Sequence, residues 1–203
     1  MIVTAIKQMA HKPGLFRISI DNKPVGFISA QDVANLGIVS GSKIDSGVYS
    51  VLAQKVKFTT YYHKALLFAD RRLHSKVEVK RYLKSHGCDI ETTEQIIDKL
   101  VEIGVIDEMK LANAFVNDAK NLKPMSAKLL RYKLKEKQID PEIINETITG
   151  SNYDNDQALD KLIASKQSQY LNEQPRFFRY LLRQGFSYSD IAKRIGSPER
   201  PKF

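Results

Sequence analysis

The chain of 203 residues has few of the residues that build covalent or metal-based sites. Cys88 is the only cysteine, which excludes an internal disulfide and a cysteine metal cluster. The four histidines are scattered, without the spacing of metal ligands. The sequence contains no phosphate-binding glycine loop, no GxGxxG and no nucleophile elbow. We therefore expect no enzyme activity, no catalytic residues, no cofactor and no bound metal.

Long hydrophobic runs are also missing. No apolar stretch approaches the roughly 18 residues of a membrane span. The first residues, MIVTAIKQMAHKPG, alternate polar and apolar side chains and lack the core of a signal peptide. Apolar residues make up 42% of the chain and charged residues 27%, which is typical of globular proteins. We expect a cytoplasmic monomer that does not contact membranes.

Charge is abundant and changes sign along the chain. The net charge of the whole protein is +9. It is +5 over residues 71–84, −6 over 89–108, +6 over 120–137 and −6 over 140–160. Internal ion pairs are one explanation of this alternation. The positive excess also favours an anionic partner.

A short motif of an apolar and a basic residue, repeated four positions later, occurs three times. The copies are Val79-Lys80 with Leu83-Lys84, Leu130-Arg131 with Leu134-Lys135, and Phe178-Arg179 with Leu182-Arg183, at offsets of 51 and 48 residues. Positions i and i+4 lie on one face of an α-helix. Each copy therefore predicts a helix with an apolar ridge and a neighbouring basic ridge. Three such ridges are able to line one binding surface.

The first 56 residues have the pattern of a small antiparallel sheet. Alternating or β-branched apolar residues predict strands at 3–9, 15–20, 25–28 and 48–52. The sequence Asp21-Asn22-Lys23-Pro24 predicts a turn, and Ser29 is a candidate N-cap of a short helix.

Beyond residue 60, glycine falls almost only at predicted helix ends, and helix starts are marked at Ser75, Thr92, Asp107, Asp140 and Ser187. These marks predict three units of three helices, with first helices at 64–73, 108–122 and 156–170. The third helices pair Ile96 with Leu100, Ile144 with Ile148 and Ile191 with Ile195. The expected fold is mainly α: three tandem three-helix repeats form an elongated curved body behind a small β domain. The predicted domains are 1–57, 58–105, 106–152 and 153–203.

Three further features have competing explanations. Asp154 and Asp156 precede a helix, which favours capping over a cation site and leaves a metal-dependent nuclease as a weak alternative. Residues 185–196 look like the first helix of a helix-turn-helix, but 197–203 are too short and proline-rich for a recognition helix. The tyrosines of the second helices (Tyr82, Tyr132 and Tyr180) are expected to be half-buried between helices, with base stacking as the alternative.

The helical part resembles the RecX family of bacterial regulators of the recombinase RecA. The similarity lies in VIDEMKLANAF at 105–115, in the segment from Leu130 to Asp140, and in RFFRYLLRQGFSYSDI at 176–191, and it extends over about 62–196. Some Gram-positive members also carry an N-terminal β segment, which residues 1–56 resemble. Gln138 stands where the family usually has glycine, and Leu111 where an aromatic residue is common.

The resemblance implies a non-enzymatic modulator that binds RecA and its filament on single-stranded DNA. It also implies inhibition of the recombinase, ATPase and coprotease activities, with weak direct DNA binding as a further expectation. The candidate contact residues are the basic side chains of the predicted second helices: Lys80, Arg81, Lys84, Lys128, Arg131, Lys135, Arg176, Arg179 and Arg183. The alternative is a nucleic-acid-binding module that acts through these helices without a protein partner.

Overall fold

The computed structural model describes residues 1–10, 12–171 and 173–198. An antiparallel sheet of three strands comes first, in the order β1 (Val3–Met9), β2 (Lys12–Ile20) and β3 (Lys23–Ser29). The helices that follow in the described residues are α1 (Ala30–Leu36), α2 (Ser46–Ala69), α3 (Lys76–Ser85), α4 (Ile90–Glu102), α5 (Glu108–Asn121), α6 (Ala127–Glu136), α7 (Pro141–Gly150), α8 (Asn155–Lys166), a 3-10 helix (Gln167–Tyr170), α9 (Gln174–Arg183) and α10 (Tyr188–Ile195). The predicted fold class is confirmed.

The chain divides into two compact units. The first consists of Met1–Arg72 and Glu78–Ile106, and the second of Leu73–Val77 with the described residues from Asp107 onward. The domain boundaries expected from the sequence stay a prediction. In the part of the chain that the structure describes, no helix is long and apolar enough to cross a membrane. The prediction that no recognition helix follows residue 196 depends on residues 197–203. Most of these residues lie outside the described part of the chain.

The predicted turn between β2 and β3 is present. Asp21 and Asn22 have φ angles of 48° and 64°, the left-handed conformation that a two-residue hairpin turn requires. Ile18 and Ile28 are fully buried in the core between the sheet and α2. Ser29 caps α1 as predicted, because its hydroxyl accepts from the Asp32 N–H at 3.0 Å.

The strand predicted at 48–52 is wrong, because these residues form the start of α2. The Asp45 carboxylate accepts from the Val48 N–H at 2.8 Å and caps the helix. Leu52 and Val56, one helical turn apart, are then both buried in the sheet core. Of the predicted first helix of the first repeat, 64–73, only residues 64–69 are helical, and they are the end of a helix of 24 residues.

The three-helix repeat is confirmed, and the structure corrects its register. The second helices α3, α6 and α9 each have ten residues and begin 51 and 47 residues apart. The N-caps of the third helices, Asp89, Asp140 and Ser187, follow the same offsets. So do the residues with positive φ after each second helix, which are Gly87, Gln138 and Gly185.

The apolar ridge predicted for the third copy is consequently displaced by one residue. The buried pairs are Val79 and Leu83 in α3, Leu130 and Leu134 in α6, and Phe177 and Leu181 in α9. Phe178 is also buried, but Leu182 is 39% exposed. Because α9 contains two consecutive apolar pairs, the one-letter pattern fits both registers, and only burial separates them.

Two related predictions change with the register. The third helices are matched by Thr93 with Ile97, Ile144 with Ile148, and Ile191 with Ile195, so the predicted pairing of Ile96 with Leu100 is wrong. Helix α4 begins at Ile90, two residues before the predicted cap Thr92. The Asp89 carboxylate caps it, accepting from the Thr92 N–H at 3.0 Å. Asp107, Asp140 and Ser187 are caps as predicted.

Gln138 is the one residue of the three turn positions that is not glycine, and its φ is 55°. An L-residue in the left-handed region costs roughly 1–2 kcal/mol, which glycine avoids.

We expect Gln138→Gly to raise the free energy of unfolding by about 1 kcal/mol in urea titrations. The reciprocal change Gly87→Ala, at a φ of 82° where the new Cβ makes an ordinary contact with the Tyr61 hydroxyl at 3.5 Å, is expected to lower it by a similar amount. Equal stability of Gln138→Gly and the wild type would contradict the prediction.

Candidate binding surface

Burial of two residues per second helix decides which side chains face solvent. In α6, Leu130 and Leu134 are fully buried in the core of the second unit. Positions 128, 131 and 135 are spaced i, i+3 and i+7 and share one face of the helix. Lys128, Arg131 and Lys135, all three of them predicted contact residues, form this face, which we call the α6 strip.

The α6 strip is held by a well-capped helix. The Ser126 hydroxyl accepts from the Leu129 N–H at 3.1 Å, and the helix begins at Ala127. The seven residues from Lys128 to Lys135 extend about 10 Å along the axis. Lys128 and Lys135 are exposed and Arg131 is half-buried. In the described residues, no carboxylate lies within 4.0 Å of these three cations.

The equivalent face of α3 is ion-paired at one of its two cations. Its residues are Val77, Lys80 and Lys84, at the same positions in the repeat. The Lys80 ammonium forms an ion pair with Glu94 of α4 at 2.7 Å. In the second and third repeats the position of Glu94 is occupied by Asn145 and Ala192. The acidic partner is therefore specific to the first repeat.

The equivalent face of α9 has no basic residue. Its residues are Pro175, Phe178 and Leu182, which we call the α9 strip. The expectation of three equivalent basic ridges is therefore wrong, since the third repeat replaces both cations by apolar side chains. Sequence reasoning missed this strip. The turn residue Gly185 and the cap Ser187 are the signal that could have revealed it, because their positions fix the register of the third repeat.

The remaining predicted residues are exposed but are not placed alike. Arg81 lies on the solvent side of α3. Arg179 and Arg183 are one turn apart on α9, beside the α9 strip and on its solvent side. Arg176 forms an ion pair with Glu173 at 2.8 Å, and the hydrogen bond to this carboxylate raises the pKa of Arg176. The structure thus brings together the α6 strip and, separately, Arg179 with Arg183.

The tyrosines of the second helices do not share one environment. Tyr82 is half-buried and stacks on Phe68 with ring centroids 4.2 Å apart, and Tyr180 is half-buried near Tyr170. Half-burial is confirmed for these two. Tyr132 is 58% exposed, so the prediction is wrong there. A hydrogen bond to Glu136 raises the pKa of Tyr132, which lies next to Arg131 of the α6 strip.

Much of the acidic charge is used inside the protein. In α4, Glu102 pairs with Lys99, and the N-cap Asp89 pairs with Lys57 at 2.5 Å. The Lys57 ammonium lowers the pKa of the Asp89 carboxyl far below its ordinary value. In the second unit, Arg194 binds both Asp156 and Asp160. Internal pairing therefore explains part of the charge alternation, and it leaves the α6 strip unmatched.

Two further residues have structural roles. The Asp154 carboxylate accepts from the N–H groups of Asp156 and Gln157 at 2.8 and 3.2 Å, which confirms the interpretation as a helix cap. Cys88 is buried at the position that Ile139 and Phe186 occupy in the other repeats, so it acts as a core side chain.

Comparison with known sequences finds matches over most of the chain. Residues 62–100 match the family model "RecX, first three-helix domain", and 107–148 match "RecX, second three-helix domain". The "Regulatory protein RecX" of Finegoldia magna is 29% identical over 205 residues, which is 96% of this chain and 98% of that protein. A protein of the same name from Clostridium botulinum is 26% identical over 95% of this chain and 93% of its own.

Comparison with solved structures gives the same result for the fold. A structure titled "Crystal structure of regulatory protein RecX" is 19% identical, covers 96% of this chain and 98% of its own, and has a TM-score of 0.72. A second, "Crystal structure of RecX from Lactobacillus salivarius", is 25% identical and covers 68% of this chain and 93% of its own. Its TM-score is 0.54.

If the α6 strip binds a polyanion, its removal has a measurable electrostatic signature. For the variant Lys128→Ala, Arg131→Ala, Lys135→Ala, we expect the slope of log K against log salt for single-stranded DNA to fall in magnitude by about 2, at about 0.7 per phosphate. The matched control, Lys110→Ala, Lys123→Ala, Lys193→Ala, removes the same charge from other exposed positions of the second unit. The slope for each variant is measured by fluorescence anisotropy across a salt series. Equal slopes for the two variants would exclude a local contact at the strip.

Proposed function

The chain is a member of the RecX family of regulatory proteins, and we propose that it is a non-enzymatic regulator that binds the RecA recombinase and its filament on single-stranded DNA. In this proposal it inhibits the recombination, ATPase and coprotease activities of RecA. The observation on which the proposal depends most is the α6 strip, in which three neighbouring cations lack an acidic partner among the described residues. The choice of RecA as partner comes from the resemblance to the RecX family, and we propose the strip as the place of contact.

The proposed mechanism is electrostatic and steric. The α6 strip binds DNA phosphates or an acidic surface in the filament, and the helical repeats then obstruct the addition of RecA subunits or strand exchange. The unpaired cations of the strip have no internal ion pair to lose on binding. Lys80 differs, because its pair with Glu94 must be broken first. We therefore assign the main ionic contact to the second repeat.

A second candidate function is direct nucleic-acid binding without a protein partner. The i, i+3, i+7 spacing of the α6 strip favours it, because a row of cations along a helix is suited to a row of phosphates. The two functions differ in what binding requires. A direct binder holds single-stranded DNA tightly in the absence of RecA and with a steep dependence on salt. A filament regulator binds far more tightly once RecA is present.

We expect charge reversal of the strip, Lys128→Glu with Arg131→Glu and Lys135→Glu, to abolish inhibition of the DNA-dependent RecA ATPase. The reason is that three carboxylates repel the anionic surface that the cations attract. ATP hydrolysis by preformed filaments, measured over a range of protein concentrations, gives the half-inhibiting concentration. The control, Lys110→Glu with Lys123→Glu and Lys193→Glu, carries the same net charge and is expected to inhibit within about threefold of the wild type.

Inhibition that is lost equally in both charge-reversed variants would show a general effect of net charge and would remove the strip from the mechanism. Wild-type protein that binds single-stranded DNA without any effect on RecA would establish the second candidate instead. Circular dichroism of each variant checks that the helical repeats remain folded.

A further inference from the structure

The α9 strip is an apolar surface at a position where the other repeats carry cations. Repeat positions equivalent to Phe178 and Leu182 are Lys80 and Lys84 in α3 and Arg131 and Lys135 in α6. One location in a repeated fold is thus basic and half ion-paired in the first repeat, basic and unpaired in the second, and apolar in the third. The fold does not require an apolar residue there, since the other two repeats fold with lysine at the position of Leu182.

Helix α10 extends this apolar surface. The ring of Tyr188, the first residue of α10, packs on Phe178 with centroids 4.7 Å apart and an interplanar angle of 55°. Phe178 is 2% exposed beneath it, whereas Tyr188 is 53% and Leu182 39% exposed. Leu182, one turn after Phe178, and Tyr188, packed on Phe178, are therefore two accessible apolar side chains around one buried ring, and that ring belongs to a core with Phe177, Leu181 and Ile191.

Positive charge borders the pair. Arg179 and Arg183 are exposed on the adjacent side of α9, and in the described residues neither has a carboxylate within 4.0 Å. Asp190 of α10 is engaged as an acceptor of the Ser187 hydroxyl at 2.5 Å. An apolar patch with unpaired arginines beside it is complementary to an apolar side chain with carboxylates beside it, and arginine is enriched in protein interfaces.

We propose that Leu182 and Tyr188, flanked by Arg179 and Arg183, dock an acidic amphipathic segment of a protein partner. Such a segment places its apolar face on Leu182 and Tyr188 and its carboxylates against the arginines. Tyr188, Arg179 and Arg183 suit either a protein segment or nucleic acid, whereas Leu182 provides neither a charge for phosphate nor a ring for stacking. The apolar side chain of Leu182 is therefore the feature that favours a protein segment. The inference rests on the proposed function, whose protein partner is the RecA filament, and it gives the third repeat a protein contact while the second makes the ionic one.

The variant Leu182→Lys tests the docking surface. It introduces the side chain found at this position in the other two repeats, so we expect it to fold. Binding of labelled wild type and variant to RecA filaments on single-stranded DNA is measured by anisotropy, and binding to the same DNA without RecA in parallel. We expect affinity for the filament to fall at least tenfold and affinity for DNA alone to stay equal or rise. The control Leu122→Lys, at a 71% exposed apolar residue of the same unit, is expected to bind the filament as the wild type does.

The reciprocal variant Lys135→Leu removes one cation of the α6 strip and is expected to weaken DNA binding more than Leu182→Lys does. Wild-type affinity of Leu182→Lys for the filament would overturn the inference and leave the proposed function standing. A parallel loss of affinity for DNA alone would show that the surface contacts nucleic acid and would also overturn it. No filament binding by the wild type would overturn the proposed function and this inference with it. Should Leu182→Lys fail to fold, Tyr188→Gln is measured in its place with the same expected outcomes.

Discussion

Burial of two apolar residues one turn apart fixes the rotation of each second helix, and the surface chemistry follows from that rotation. Leu130 and Leu134 are fully buried in α6, as Val79 and Leu83 are in α3. Rotating either helix about its axis by one residue, about 100°, would expose both side chains to water. The free-energy cost is about 1.5–3 kcal/mol for each side chain. The positions that remain on the solvent side are therefore set by the core and free to vary in chemistry. This freedom allows equivalent faces to be partly ion-paired, basic or apolar on the same backbone.

Much of the fold could be predicted because its signals are local. Caps such as Asp107, Asp140 and Ser187 satisfy backbone donors within three residues, and their positions in the sequence determine where helices begin. The N-terminal hairpin turn is similarly local. The segment 48–52 was misassigned because β-branched and aromatic residues suit a strand, whereas the Asp45 cap and the core contacts of Leu52 favour a helix. Tertiary packing decided between two locally acceptable structures.

The binding surface was less predictable for a physical reason. The pattern of apolar and basic residues reveals that a helix is amphipathic, but it does not show which of two adjacent apolar residues is buried. In α9 both Phe177 and Phe178 are buried in the same core, and only the burial of Leu181 against the 39% exposure of Leu182 separates the two registers. Ion pairing is similarly invisible in the sequence, since Lys80 and Glu94 are 14 residues apart. Three of the nine predicted contact residues therefore form the strip, and two others are already paired.

Helix α2 has a consequence for the cooperativity of the first unit. Its 24 residues, about 36 Å long, supply Leu52 and Val56 to the sheet core and Ala65 to the core around α3 and α4. An unbroken helix cannot melt in its middle without losing consecutive backbone hydrogen bonds, so disorder in one core is transmitted to the other. The sheet is accordingly not a detachable module. Removal of the strands would expose Leu52 and Val56 of the remaining helix to water. The shortened protein would then tend to aggregate and would not fold as an independent helical protein.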